Sequence, residues 1–168
     1  MAAPDQNRVI LALGSNLGDR SANLHQALEE ISVNVSIDKT SSIYETPPWG
    51  YIEQPVFLNQ VISGLTSLNP AGLLAFLKGI EHNMGRVRNF QNGPRLIDID
   101  IILFGEQIVN TEHLVIPHPR MLQRAFVLLP LFEIEPDLII PGTNKSVVDL
   151  VINVDQTGIH KLAPESKT

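Results

Sequence analysis

Two aspartates separated by one residue, Asp98-Ile99-Asp100, sit inside the apolar run from Leu96 to Phe104. The run alternates as a β-strand does. Both carboxylates therefore project from one face, while Ile97, Ile99 and Ile101 project from the other, into the core. Residues two apart on a strand are ~6–7 Å apart, so two carboxylates can converge on one hard cation or bridge two. A pair of such cations can clamp the attacking and leaving oxygens of a phosphoryl displacement. The plainer reading is a half-exposed strand whose polar face happens to carry acids. Asp is disfavoured in strands and like charges repel across short distances, so two together need a reason.

The neighbouring residues supply one. Five of the seven arginines lie between Arg86 and Arg124, with no lysine, in a chain whose formal net charge is −6. The planar fork of Arg donates two parallel hydrogen bonds and suits phosphate. Arg86 and Arg88 fall just after a helix, Arg95 follows Gly93-Pro94, and His118 and Arg124 come after the aspartates. Carboxylates for metal, with Arg and His for phosphate oxygens, make a set suited to nucleotide transfer. A loop carrying Arg86 and Arg88 is placed to close over the transferring group and exclude water. The alternative is an ordinary basic surface loop.

The acceptor side is less distinct. Thr46-Pro47-Pro48-Trp49-Gly50-Tyr51 is a stiff loop with two aromatics, and Phe57 and Asn59 share a strand face. An aromatic beside an amide suits a flat heterocycle, which needs stacking and edge hydrogen bonds. A core Phe57 with a sheet-edge Asn59 fits the pattern equally well. The segment from Gly14 to Arg20 lacks the Gly-Lys-Ser/Thr ending of a phosphate loop and reads as a strand-to-helix turn. His25 and His160 read as surface residues.

These residues need elements to position them. Arg8–Leu13 reads as a buried strand stopped by Gly14, and residues 21–31 as an amphipathic helix. Strand character follows near 33–37 and 41–44, then at 56–65. Asn69-Pro70 opens a helix that runs to about Met84 and stops at Gly85. The aspartate strand, 96–104, is turned by Gly105-Glu106 into a hairpin with Ile108-Val109. Residues 120–133 read as helical with a kink or stop at Pro130, Leu138–Ile140 as a short strand and 147–152 as a short helix. The tail after Asp155 reads as loose. The order is βαββαβ, the ferredoxin-like order, with an added hairpin and C-terminal helices. It predicts an α+β fold with an antiparallel sheet, two helices on one face, and loops on the other side or at the ends.

The chain has 168 residues, 43% of them hydrophobic, which predicts one globular domain with a core over about 8–152. It has no cysteine, which excludes thiol catalysis and Cys-ligated zinc. The acidic balance speaks against a nucleic-acid partner. No apolar run spans a bilayer and the first residues lack a secretory pattern, so a cytoplasmic protein with no membrane partner is expected.

Six motifs occur in order: Leu-Gly-Ser-Asn-Leu-Gly-Asp (13–19), Tyr-Glu-Thr-Pro-Pro-Trp-Gly (44–50), Phe-Leu-Asn-Gln (57–60), Gly-Arg-Val-Arg (85–88), Gly-Pro-Arg-Leu-Ile-Asp-Ile-Asp-Ile (93–101) and Ile-Pro-His-Pro-Arg-Met-Leu-Gln-Arg-Ala-Phe (116–126). With them the chain closely resembles the 6-hydroxymethyl-7,8-dihydropterin pyrophosphokinases of folate biosynthesis. The resemblance covers residues 8 to 152 and implies transfer of pyrophosphate from ATP to the pterin hydroxymethyl group. It implies Asp98 and Asp100 as ligands of two Mg²⁺, and Arg86 and Arg88 as mobile-loop arginines, Arg86 nearest the chemistry. Arg95, His118 and Arg124 would hold phosphate oxygens, Glu81 would lie near the nucleotide and Ile101 would pack on adenine. Phe57 and Phe126 would sandwich the pterin, with Asn59, Thr46 and the backbone from Pro47 to Trp49 on its edge. Asn92 and Pro119 stand where relatives often have Trp and Tyr, and Trp49 where smaller apolar residues are common. The expected assembly is a monomer or homodimer with small-molecule substrates only. A different two-metal transferase would keep Asp98 and Asp100 but leave Phe57, Asn59 and Phe126 unexplained. An RNA-binding module would need an aromatic motif that the chain lacks.

Overall fold

The computed structural model describes residues 5–48, 53–85 and 96–163. The elements are β1 (Asn7–Ser15), α1 (Arg20–Ile31), β2 (Ser36–Thr40), β3 (Tyr44–Thr46), β4 (Phe57–Thr66), α2 (Pro70–Asn83), β5 (Asp98–Phe104), β6 (Val109–Asn110) and β7 (Val115–Ile116), followed by a 3₁₀ turn (Met121–Gln123), α3 (Ala125–Ile134), β8 (Ile139–Ile140), β9 (Lys145–Ser146), α4 (Val147–Asn153) and β10 (His160–Lys161). Helix starts follow from local chemistry. The Asp19 carboxylate accepts from the Ala22 N–H at 3.1 Å, and the Asn69 side chain accepts from the Gly72 N–H at 2.7 Å ahead of Pro70. Ser146 and Asp149 form a reciprocal capping box on α4.

The main sheet runs β10-β3-β4-β1-β5, with β2 also paired to β4, and every pairing is antiparallel. This is the expected βαββαβ arrangement: the last core strand lies beside the first, and β4 separates β1 from β2. The two middle strands are buried on both faces. On one face Leu11, Leu13, Ile62 and Ile99 pack with Leu24 and Ile31 of α1 and with Leu73 and Leu77 of α2. On the other face Ile10, Val61 and Ile102 pack with Val127, Leu128 and Leu131 of α3 and with Val147 and Leu150 of α4. Among the described residues, no helix is long and apolar enough to cross a membrane.

Four expectations are corrected. The second face carries α3 and α4 rather than loops, because both helices bring apolar stripes that need a sheet to bury them. The hairpin forms between β6 and β7, not between β5 and β6. The turn at Gly105-Glu106 does form, with Gly105 at φ +53° and the Gln107 N–H donating to the Phe104 carbonyl at 3.0 Å, while the Gly105 N–H extends the β1 ladder to the Arg8 carbonyl at 2.6 Å. The segment after Asp155 is docked rather than loose as far as Ala163. Its strand β10 pairs with β3, and the Leu162 N–H reaches the Ile43 carbonyl at 2.8 Å. The stretch 120–133 is also divided. Arg124 is extended between the 3₁₀ turn and α3, and α3 continues through Pro130.

Gly64 on β4 marks a steric constraint. A Cβ there would lie 2.7 Å from the Ser36 carbonyl oxygen and 2.8 Å from Val35 Cγ1. The first obstacle is backbone and cannot swing away. Gly64→Ala is expected to destabilise the protein by ~1–3 kcal/mol, read as a lower urea midpoint. An unchanged midpoint would mean that β2 shifts without cost.

Candidate active site

Strand pairing builds a polar floor on the α3 side of the sheet. Side chains directly opposite on paired strands share a face. Gly14 on β1 pairs with Asn59 on β4 and with Asp98 on β5, and Ala12 pairs with Val61 and Asp100. Asp98, Gly14, Asn59 and Tyr44 thus form one row across four strands, with Asp100, Ala12 and Val61 in the next. Thr46 pairs with Phe57 one row further along. Above the floor stand Arg124, Phe126 and Val127 from the start of α3, and Pro47 lies at one side. These residues line a cavity that is open to solvent.

The two ends of the cavity differ in chemistry. At one end Asp98 and Asp100 are partly buried on the edge strand. Burial pushes the Asp100 carboxyl up to about 7, and the charge of Asp98 adds to the rise. Lys78 and Arg124 oppose it, and Glu81 adds a smaller push. The pair is costly to ionise alone and fits a hard divalent cation, which accepts one or two carboxylates and completes its shell with phosphate or water oxygens. Among the described residues, no third carboxylate or imidazole completes an all-protein cage. His118 is held nearby by its N–H, which donates to the Ile102 carbonyl at 3.0 Å. Burial lowers its imidazole to about 4; Arg124 adds to the lowering, Asp98 opposes it and Arg120 adds again. The Arg120 N–H donates to His118 Nδ1 at 3.2 Å, which leaves Nε2 as the donor of a neutral ring.

At the other end Asn59 is 8% exposed and donates from Nδ2 to Thr46 Oγ1 at 2.6 Å. Phe57 and Phe126 both line this region, and the Arg124 guanidinium carbon lies 5.4 Å from the Phe126 ring centroid. That distance is within cation–π range and ties the aromatic wall to the charged one.

Of the residues singled out from sequence, Thr46, Pro47, Phe57, Asn59, Asp98, Asp100, Arg124 and Phe126 meet at this cavity, with His118 beside it. Arg86, Arg88, Arg95, Trp49 and Asn92 lie outside the described residues. Glu81 and Ile101 are not brought to the cavity. Ile101 is 4% exposed, within the core on the α1–α2 side. Glu81, 2% exposed, accepts the Ile99 N–H at 3.0 Å and Lys78 Nζ at 3.1 Å. It braces the strand between the two aspartates. Two contributors escaped the sequence reading. Lys78 lies one helical turn before Glu81, a spacing that pairs charges. Gly14, read as a strand stop, is an interior strand residue. A glycine within a strand marks a close approach, and that was the available signal.

A family model described as 7,8-dihydro-6-hydroxymethylpterin-pyrophosphokinase matches residues 10–136. A Bacillus subtilis 2-amino-4-hydroxy-6-hydroxymethyldihydropteridine pyrophosphokinase is 48% identical over 130 residues, covering 76% of this chain and 78% of its own length. The Methylorubrum extorquens protein of the same name is 42% identical over 157 residues, covering 92% and 98%. The folic acid synthesis protein of Pneumocystis carinii is 42% identical over 161 residues, and the chain spans 22% of its length. A crystal structure of Plasmodium falciparum HPPK-DHPS wild type with pteroate shares the fold with a TM-score of 0.71 at 17% identity, covering 90% of this chain and 43% of that one.

The raised Asp100 carboxyl makes stability depend on pH. The unfolded chain ionises this group near 3.8 whereas the folded protein holds the proton to about 7. Stability from this group is therefore full below pH 4, falls between pH 4 and 7 and is flat above. In metal-free buffer at pH 8, Asp100→Asn is expected to be more stable than wild type by ~1–3 kcal/mol, with the gap closing toward pH 4. Equal stability of the two proteins at pH 8 would contradict the charge cost assigned to this site.

Proposed function

Because the chain belongs to the 7,8-dihydro-6-hydroxymethylpterin-pyrophosphokinase family, we propose that it transfers pyrophosphate from ATP to the hydroxymethyl group of 6-hydroxymethyl-7,8-dihydropterin. The observation that carries this reading is one cavity with a carboxylate pair at one end and an amide with two phenylalanines at the other. In the reaction the hydroxymethyl oxygen bonds to the β-phosphorus of ATP. The bond from that phosphorus to the oxygen bridging α and β breaks, AMP leaves, and the hydroxyl proton is released.

Asp98 and Asp100 would hold Mg²⁺, two ions with ATP bound. Bound there, Mg²⁺ would neutralise phosphate charge and polarise the reacting oxygens. Arg124 favours the Asp100 carboxylate electrostatically and lines the same cavity, and it would hold phosphate oxygens. His118 would act as a neutral donor from Nε2, a role that its lowered basicity preserves across physiological pH. Arg86, Arg88 and Arg95 would add positive charge as the loop closes. Phe57 and Phe126 would hold the flat ring, and Asn59 with Thr46 would read its edge. Each edge bond lost leaves a buried polar group unpaired, at ~1–3 kcal/mol. This holding of reactants in line lowers the barrier without covalent chemistry by the protein.

Product analysis tests the reading. Incubation with ATP, Mg²⁺ and the pterin is expected to give AMP and pterin diphosphate in equal amounts, with no AMP when the pterin is omitted. Inorganic pyrophosphate in place of AMP would point to nucleotidyl transfer instead, and ADP to transfer of a single phosphoryl group. Asp98→Ala and Asp100→Ala are each expected to lower kcat by ~10³-fold or more with an unchanged circular dichroism spectrum. Full activity at an unaltered Mg²⁺ requirement would remove the metal assignment. Arg86→Ala is expected to slow the single-turnover rate more than it weakens ATP binding, and the opposite pattern would count against a closing role.

A further inference from the structure

We infer that Gly14 determines what the ring end of this cavity accepts, because a side chain at position 14 and the observed Asn59 amide cannot occupy the site together. The inference rests on the pterin reading above. Gly14 is an interior residue of β1, hydrogen-bonded into strands on both sides, and it lines the cavity. Its φ is not in the left-handed region, so backbone geometry alone does not demand glycine there. Space does. A Cβ at position 14 would lie 2.8 Å from Asn59 Oδ1 and 3.5 Å from Phe57 Cδ1. The first obstacle is the end of a side chain, so an alanine would push the amide aside and leave the strands in register.

The displaced amide is the group that would read the heterocycle. Asn59 Nδ2 is committed to Thr46 Oγ1 at 2.6 Å, which orients Oδ1 as an acceptor for a ring N–H. Gly14 also lies in the row between Asn59 and Asp98. Two strand spacings, about 9–10 Å, separate those residues. The part of the substrate that joins the ring to the reacting oxygen must cross this span. Over Gly14 it meets bare backbone. Position 14 therefore sets two things, the aim of the Asn59 acceptor and the height of the floor beneath the hydroxymethyl arm.

A glycine kept for structure alone would behave differently. Alanine has the lower entropic cost in a strand, so replacing a glycine that meets no backbone obstacle does not unfold the protein. The loss falls on one ligand only.

The test is a double-mutant cycle across Gly14→Ala and Asn59→Ala, with calorimetric titration of 6-hydroxymethyl-7,8-dihydropterin and, separately, of a non-hydrolysable ATP analogue with Mg²⁺. Gly14→Ala is expected to weaken pterin binding by about tenfold or more, with ATP-analogue affinity within about twofold of wild type. In the Asn59→Ala background it is expected to add less than about twofold, since the two changes remove one interaction. The Asn59 side-chain amide resonances of ligand-free protein are expected to move in Gly14→Ala. Wild-type pterin affinity in Gly14→Ala, unmoved amide resonances, additive losses, or equal loss of both ligands together with a lower melting temperature would each overturn the inference. If wild type itself fails to bind the pterin, the proposed function falls, and the amide resonances still decide whether residue 14 controls Asn59.

Discussion

Like charges held two residues apart on a strand repel, and burial magnifies the repulsion because less water is present to screen it. Much of the charged apparatus around Asp98 and Asp100 can be understood as an answer to that cost. Lys78 and Arg124 lower the energy of the Asp100 carboxylate from two directions, one from each face of the sheet. The backbone between the aspartates is held by Glu81, so the pair cannot relax by twisting apart. On the proposed reading, the stability given up in the empty protein is recovered as affinity for a cation and its attached phosphates. A site whose charges were already neutralised would be more stable and would bind less.

The same sheet serves both ends of the site, and this makes their separation a fixed length. Strand spacing is set by backbone hydrogen bonds and varies little. Placing the carboxylates on β5 and the amide on β4, with β1 between them, sets the span that a substrate must cover. Two glycines show how differently a missing side chain can function. At Gly64 the obstacle is a carbonyl of β2, so the glycine belongs to the packing of the sheet. At Gly14 the obstacle is a side-chain amide, and the glycine belongs to the chemistry.

Much of this was legible in the residues. Alternation located β5 and put Asp98 and Asp100 on one face, and Asn69-Pro70 marked the start of α2 because capping is a local property. The convergence of Phe57, Asn59 and Phe126 followed from the family resemblance rather than from spacing, since Phe126 is distant in sequence and reaches the cavity only through the docking of α3. What was not legible depended on tertiary partners. Nothing near Gly105 reveals that the strand after its turn, β6, will pair with β7 rather than with β5. A polar two-residue segment such as His160-Lys161 has little strand character by itself and becomes β10 only because β3 offers an unpaired edge. Glu81 was singled out by the family resemblance. Its partner, a backbone N–H on another element, was not.

The position of β5 at the margin of the sheet gives Glu81 a second significance. An edge strand displays unpaired amide groups, and such a row invites pairing with another chain. Among the described residues, the Ile99 N–H is occupied by a carboxylate from α2. A foreign strand approaching that margin would have to break this bond and strand a buried anion beneath it. At Ile99, between the two aspartates, that cost opposes β-addition to the strand.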